Sequence, residues 1–142
     1  MMDESIQILL VDDNELDRVN IQRGFKHLKI KNTIIIAEHG LQALDILRRD
    51  DSELIAAEPY IILLDLNMPK MNGIEFLHEI RNDTALKNAV VYVLTTSESP
   101  NDIDEVRQYN VSGYIVKPLE RVELLKALSI LDAYWSINQI LN

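Results

Sequence analysis

The chain has 142 residues, 47% of them hydrophobic and 26% charged, with 14 basic and 23 acidic side chains and a formal net charge of −9. A chain of this length buries roughly 68–70% of its unfolded surface, enough for one sizeable core, so a two-domain enzyme is not expected. The acidic balance argues against nucleic acid as a direct ligand, because phosphate-backbone binding draws on surplus Lys and Arg. The absence of cysteine excludes disulfides, thiolate metal sites and a cysteine nucleophile.

A cysteine-free chain fits a reducing compartment, and cytoplasm is the expected location. The start, Met1-Met2-Asp3-Glu4, carries no positive region ahead of its apolar run. The densest apolar stretch, residues 60–64, is far too short to cross a bilayer. Neither secretion nor membrane insertion is expected.

In chain order, the apolar run at residues 6–11 reads as a first strand, continuous rather than alternating, as in strands buried on both faces. Leu16, Val19, Phe25 and Leu28 then recur with helical spacing. Residues 33–37 form a second strand, and Leu41, Leu44 and Leu47 mark a second helix. The charged stretch at residues 49–58 is the loosest connection, read as a lengthened surface loop whose simplest explanation is tolerance of insertion. Pro59 precedes a third strand at 60–64, and Pro69 and Gly73 bracket the loop before a helix carrying Ile74, Leu77 and Ile80. A fourth strand at 90–94 leads to Ser99-Pro100-Asn101-Asp102, a helix start, and then to Ile103 and Val106. A short fifth strand at 114–116 and a long final helix after Pro118 complete the order βαβαβαβαβα. Such alternation implies right-handed crossovers and a parallel sheet covered on both sides.

Ligands of open parallel sheets bind beyond the carboxyl ends of the strands. Asp12 and Asp13 follow the first strand, Asp65 the third, Thr95 the fourth and Lys117 the fifth. Singly, an Asp after a strand is a turn former or helix cap. Together, three carboxylates on one rim repel one another unless a cation neutralises them, and oxygen-only donors select a hard ion, Mg²⁺ above all. Metal, ammonium and hydroxyl around one carboxylate make the charge-neutralising pattern of phosphoryl transfer.

The motifs LLVDD (residues 9–13), LLDLNMPKMNG (63–73), VLTTS (93–97) and GYIVKP (113–118) stand in the order of the response-regulator receiver domains of two-component signalling. The chain resembles that family over essentially its whole length. The resemblance implies a (βα)5 doubly wound α/β fold with a five-stranded parallel sheet of order 2-1-3-4-5. It makes Asp65 the acceptor of a phosphoryl group from a sensor histidine kinase. Asp12 and Asp13 become the acidic pair that holds Mg²⁺ together with Asp65 and the backbone carbonyl of Asn67. Thr95 and Lys117 become the hydroxyl and cation that engage the phosphoryl group, and Tyr114 the aromatic that swings inward as Thr95 moves. It further implies a cis Lys117-Pro118 bond. The added charge would shift a two-state equilibrium on the face of the fourth helix, fifth strand and fifth helix, making the protein a phosphorylation-driven binding switch.

Thr96 is bulkier than the residue common after the switch hydroxyl, and Asn67 and Ser97 sit where the family tunes phosphate loss, so the lifetime of the signal is not transferable from a relative. Residues 1–142 are expected to form one receiver domain, with 119–142 a long helix and tail and no output domain. In that helix Leu124, Leu128, Leu131 and Trp135 form one apolar stripe, and Ile130, Tyr134, Ile137 and Leu141 another. The surplus points to a protein interface, a homodimer through this C-terminal face, against the plainer reading of a tail folded over its own core. The lengthened loop, the DLNMP and LTTS segments and the Tyr134-Trp135 pair are similar to small stand-alone response regulators serving bacterial phytochrome-type kinases.

The alternative function is a phosphorylation-independent interaction module of the same fold. A Mg²⁺-dependent phosphatase or phosphotransferase needs a second acid or cap domain, for which the length leaves little room. A dinucleotide site needs glycines where Asp12-Asp13-Asn14 stand. His27, His39 and His78 read as exposed, solvated residues rather than ligands, Met68 and Met71 as packing residues, and the acidic run 50–53 as solvated surface.

Overall fold

The computed structural model describes residues 7–27, 29–48, 60–66, 68, 70–95 and 100–116. Nine elements alternate along them: β1 (Gln7–Val11), α1 (Glu15–His27), β2 (Ile34–Ala37), α2 (Gly40–Arg48), β3 (Tyr60–Asp65), α3 (Gly73–Arg81), β4 (Val90–Thr95), α4 (Pro100–Arg107) and β5 (Gly113–Val116). The expected loop at 49–58, and the expected helix and tail at 119–142 with the dimer face built on them, lie outside the described residues.

All strand pairs are parallel, in the order β2-β1-β3-β4-β5. This is the five-stranded, doubly wound α/β sheet that the alternation and the family resemblance imply. Strand direction explains the sequence pattern. Every residue of the central β3 is buried, because helices cover both of its faces. The edge strand β2 alternates half-buried and buried residues, so its continuous apolar run does not mean burial on both sides.

The period-2 geometry of the strands divides the core in two. Ile8, Leu10, Ile61, Leu63, Tyr92 and Leu94 point to the face on which α1 lays Ile21 and Phe25. Leu9, Val11, Ile62, Leu64, Val91 and Val93 point to the other face, against Leu44 of α2, Phe76 and Leu77 of α3, and Val106 of α4. Each fully buried side chain of this size contributes about 1.5–3 kcal/mol.

Leu16 and Leu41, expected on the apolar stripes of the first two helices, are 67% and 49% exposed. Both belong to the opening turn of a helix. In α1 burial begins deeper, at Ile21, whereas in α2 Gly40 is already buried and Leu41 points away from the side that carries Gly40, Ala43 and Leu44.

At the opposite end of the sheet, Arg81 closes α3 against two loops. Its guanidinium donates to the carbonyls of Tyr109 at 2.6 Å, Ala89 at 2.7 Å and Lys87 at 2.9 Å. Burial lowers its pKa from the ordinary arginine value, with Tyr60 opposing. Arg48 of α2 pairs with Glu79 and Asp83 at 3.4 and 3.1 Å, tying α2 to α3 across the surface.

Candidate functional site

The order of the sheet reverses beside β1: the chain runs outward to β2, then crosses back to β3. A crevice opens at the carboxyl ends of β1 and β3. Asp12 and Asp13 follow β1. Asp65 is the last residue of β3, in register with Leu94, rather than the first residue after the strand. Thr95 likewise ends β4, paired with Val116 of β5. The ladders extend one residue past the apolar runs because their backbone pairs do not depend on side-chain polarity.

One carboxylate oxygen each from Asp12, Asp13 and Asp65 lies within 4.8 Å of the others. Asp12 is 0% and Asp65 4% exposed, while Asp13 faces solvent. At 4.8 Å two carboxylates repel by about 3.5 kcal/mol at an effective dielectric of 20. Oxygens this close could be brought onto one hard divalent ion by side-chain adjustment, and Asp12, Asp13 and Asp65 are the residues that would hold it. Two acids drawn out of solvent beside a third that faces it make a donor set suited to a hard divalent cation with water completing its shell.

Local sequence builds this cradle. Asp12 Oδ1 accepts from the Asn14 amide at 2.9 Å, and Arg18 donates to the Asp12 carbonyl at 2.8 Å. Asn14 then caps α1, its side-chain oxygen accepting from the Asp17 amide at 3.0 Å. Across the crevice, Asn72 and Glu75 form a reciprocal capping box at the start of α3. The Gly73 amide donates to the Leu66 carbonyl at 3.0 Å. A β-carbon at position 73 would stand 2.6 Å from the Asp65 carbonyl oxygen and 2.7 Å from the Leu66 Cα. Glycine is required there because a helix start rests directly on the backbone of the acidic residue. Gly40 admits the neighbouring loop in the same way, donating to the Met71 carbonyl at 3.1 Å.

Asp12, Asp13 and Asp65 are thus brought together, and Thr95 ends the strand beside Asp65. Tyr114 lies on β5 in register with Val93 and is 38% exposed. Asn67, Thr96, Ser97, Lys117 and the Lys117-Pro118 bond lie outside the described residues. His27 and His78 are exposed, as expected, His78 also meeting Tyr109 edge to face at 6.2 Å, whereas His39 is half-buried and its Nδ1 accepts from the Gln42 amide at 3.2 Å. Met68 is buried and Met71 packs against the core, as expected. The supporting roles of Arg18, Asn14 and Gly73 were not drawn from the sequence. The Asn14-x-x-Asp17 and Asn72-x-x-Glu75 pairs signal caps, whereas the contact that demands Gly73 exists only across the fold.

No helix among the described residues is long and apolar enough to cross a membrane. The response regulator receiver domain family matches residues 8–129. Response regulator Rcp1 of Synechocystis sp. is 35% identical over 128 residues, covering 90% of this chain and 87% of that protein. The crystal structure of the phosphorylated cyanobacterial phytochrome response regulator RcpA superposes with a TM-score of 0.80 at 33% identity, covering 92% of this chain and 94% of that one. The Mn²⁺-bound form of Rcp1 superposes with a TM-score of 0.76 at 34% identity, with the same coverage. A doubly wound sheet with three acids at its switch point, matched along nearly all of its length, makes this chain a member of the response-regulator receiver family, signalling proteins rather than conventional enzymes.

Proposed function

We propose that this protein is a stand-alone response regulator that takes a phosphoryl group from a sensor histidine kinase onto Asp65 and changes its binding surface in response. The observation that carries this reading is the trio Asp12, Asp13 and Asp65 gathered at the switch point, two of its members buried. The likeness to regulators named for cyanobacterial phytochrome favours a phytochrome-type kinase as phosphodonor.

In the proposed transfer a carboxylate oxygen of Asp65 attacks the phosphorus of a phosphohistidine. The N–P bond breaks, an acyl O–P bond forms, and the imidazole leaves and takes up a proton. Asp12, Asp13, Asp65 and the Asn67 carbonyl are the groups that would hold Mg²⁺, which when bound supplies neutralisation of the phosphoryl oxygens. The neighbour solved with Mn²⁺ supports a divalent ion. The Thr95 hydroxyl donates to a phosphoryl oxygen, and the Lys117 ammonium pairs with another.

The new acyl phosphate adds nearly two negative charges, and its bonds to Thr95 and Lys117 favour one conformer over the other. Tyr114, part-exposed on an edge strand, is the aromatic that follows Thr95 inward, altering the face of α4, β5 and the final helix. That face is the proposed homodimer contact, in one receiver domain spanning residues 1–142 and working in the cytoplasm. Phosphotransfer and loss of the phosphate are the chain's own chemistry.

Incubation with Mg²⁺ and a small acyl phosphate donor should add one phosphate by mass spectrometry, and Asp65→Asn should abolish it. No adduct, or an equal adduct in the variant, leaves a phosphorylation-independent interaction module instead. Sedimentation at rising concentration tests the dimer, which a monomer with and without phosphodonor would refute.

A further inference from the structure

Charge is unevenly distributed along this acidic chain. Residues 18–37 contain Arg18, Arg23, Lys26, Lys29 and Lys31 and no Asp or Glu. Beside the second half of α1, where it leads into the edge strand β2, lies an open groove of about 480 Å³. Ile30 and Ile34, both half-buried, supply apolar floor beside the buried Phe25, and Arg23, Lys26 and Lys31 supply cations around it. None of these three cations forms an ion pair among the described residues.

Ordinary helix chemistry accounts for part of this charge. Lys26 and His27 occupy the last turn of α1, where cations complement the helix dipole. It does not account for Arg23, a turn earlier, or for Lys31, beyond the helix end. Lys29 goes further against local preference. It closes the helix in the left-handed conformation, φ 59°, with its amide on the Lys26 carbonyl and the Ile30 amide on the Phe25 carbonyl. Glycine or asparagine occupies that position with less strain. A left-handed backbone there costs a lysine about 1–2 kcal/mol, and Lys29 adds its charge to the same surface without lining the groove.

We propose that this groove docks an extended acidic peptide segment of a partner protein, with apolar side chains seated on Ile30 and Ile34 and carboxylates on Arg23, Lys26 and Lys31. Two observations favour a peptide over a small anion. The groove is open, whereas small-ligand sites enclose 70–90% of their occupant. It also runs beside β2, a strand with a neighbour on one side only, along which an extended chain can lie. The 13 residues of α1 span about 20 Å, so this surface and the acidic cradle sit at opposite ends of the helix and can be occupied together.

The test uses the full chain and a fluorescein-labelled eight-residue peptide of alternating glutamate and isoleucine, read by fluorescence anisotropy. Saturable binding is expected, weakened by salt, lost when lysine replaces glutamate in the peptide, and reduced tenfold or more in the Arg23→Glu/Lys31→Glu double variant. Circular dichroism checks that the variant is folded, and uptake of phosphate on Asp65 is read in parallel, so failure of docking and failure of the phosphoacceptor reading are separate results. Binding that is absent, that survives unchanged in the folded double variant, or that adenosine monophosphate displaces with affinity equal to the peptide's overturns the proposal.

Discussion

Replacing Asp13 with asparagine perturbs the acidic cradle where it is most easily read, because Asp13 faces solvent and the variant keeps its shape. Two effects of opposite sign follow. In chelator, Asp13 repels Asp12 and Asp65 across at most 4.8 Å. With the dielectric of water, which suits an exposed group, each pair costs at least about 0.9 kcal/mol, so Asp13→Asn gains about 1.7 kcal/mol or more over the wild type. With Mg²⁺ the comparison narrows or reverses. At a concentration a hundred times its dissociation constant, the ion stabilises the wild type by about 2.7 kcal/mol. Loss of one carboxylate weakens binding tenfold or more, which leaves about 1.4 kcal/mol at the same concentration. The Mg²⁺-induced rise in Tm should therefore fall by about 4–5 °C in a chain of this size, while the chelated variant melts above the chelated wild type. Thermal melts of both proteins in chelator and in Mg²⁺ give all four values. An equal Mg²⁺ shift in the two proteins would remove Asp13 from the donor set. A chelated variant less stable than the wild type would refute the electrostatic account of the trio.

Gly73→Ala forces a β-carbon against the Asp65 carbonyl and Leu66 Cα, and should cost about 1–3 kcal/mol by urea denaturation while slowing phosphate uptake at Asp65. An unchanged midpoint would contradict the close approach. Arg81→Met strips charge-assisted bonds from the Tyr109, Lys87 and Ala89 carbonyls, and about 2–4 kcal/mol of lost stability is expected, with normal metal binding, because the site is at the other end of the sheet. Asp83 is held below the usual carboxylate range, chiefly by the Ala85 amide and then by Arg48. Its bonds therefore contribute stability above the unfolded-state pKa, and this is lost as pH falls through the lower folded value. Asp83→Asn should flatten the acid limb of a stability-versus-pH curve by lowering stability at neutral pH, with the two proteins converging below about pH 4.

The strand runs, their alternation with helices and the positions of Asp12, Asp13, Asp65 and Thr95 at strand ends were legible in the sequence because each depends on local pattern. A buried parallel strand reads as an unbroken apolar run, and a functional residue sits where that run stops. The ends of β3 and β4 were misjudged by one residue because Asp65 and Thr95 are polar side chains on backbone still committed to the ladder. Leu16 and Leu41 differ from expectation because helical spacing shows which side of a helix is apolar, but not which positions on that side meet a neighbour that buries them.

The meeting of Asp12, Asp13 and Asp65 within 4.8 Å is a product of the strand order, which sets β1 beside β3 although a helix, a strand and a second helix separate them in the chain. The same holds for the glycine at position 73, for Arg81 spanning two loops, and for cations from α1 and the following loop gathered around one groove. Composition and periodicity determined which elements form and the chemistry carried at their ends. Only packing decided which ends lie close enough for their charges to act on one another, because electrostatic and steric coupling depends on distance through space rather than separation along the chain.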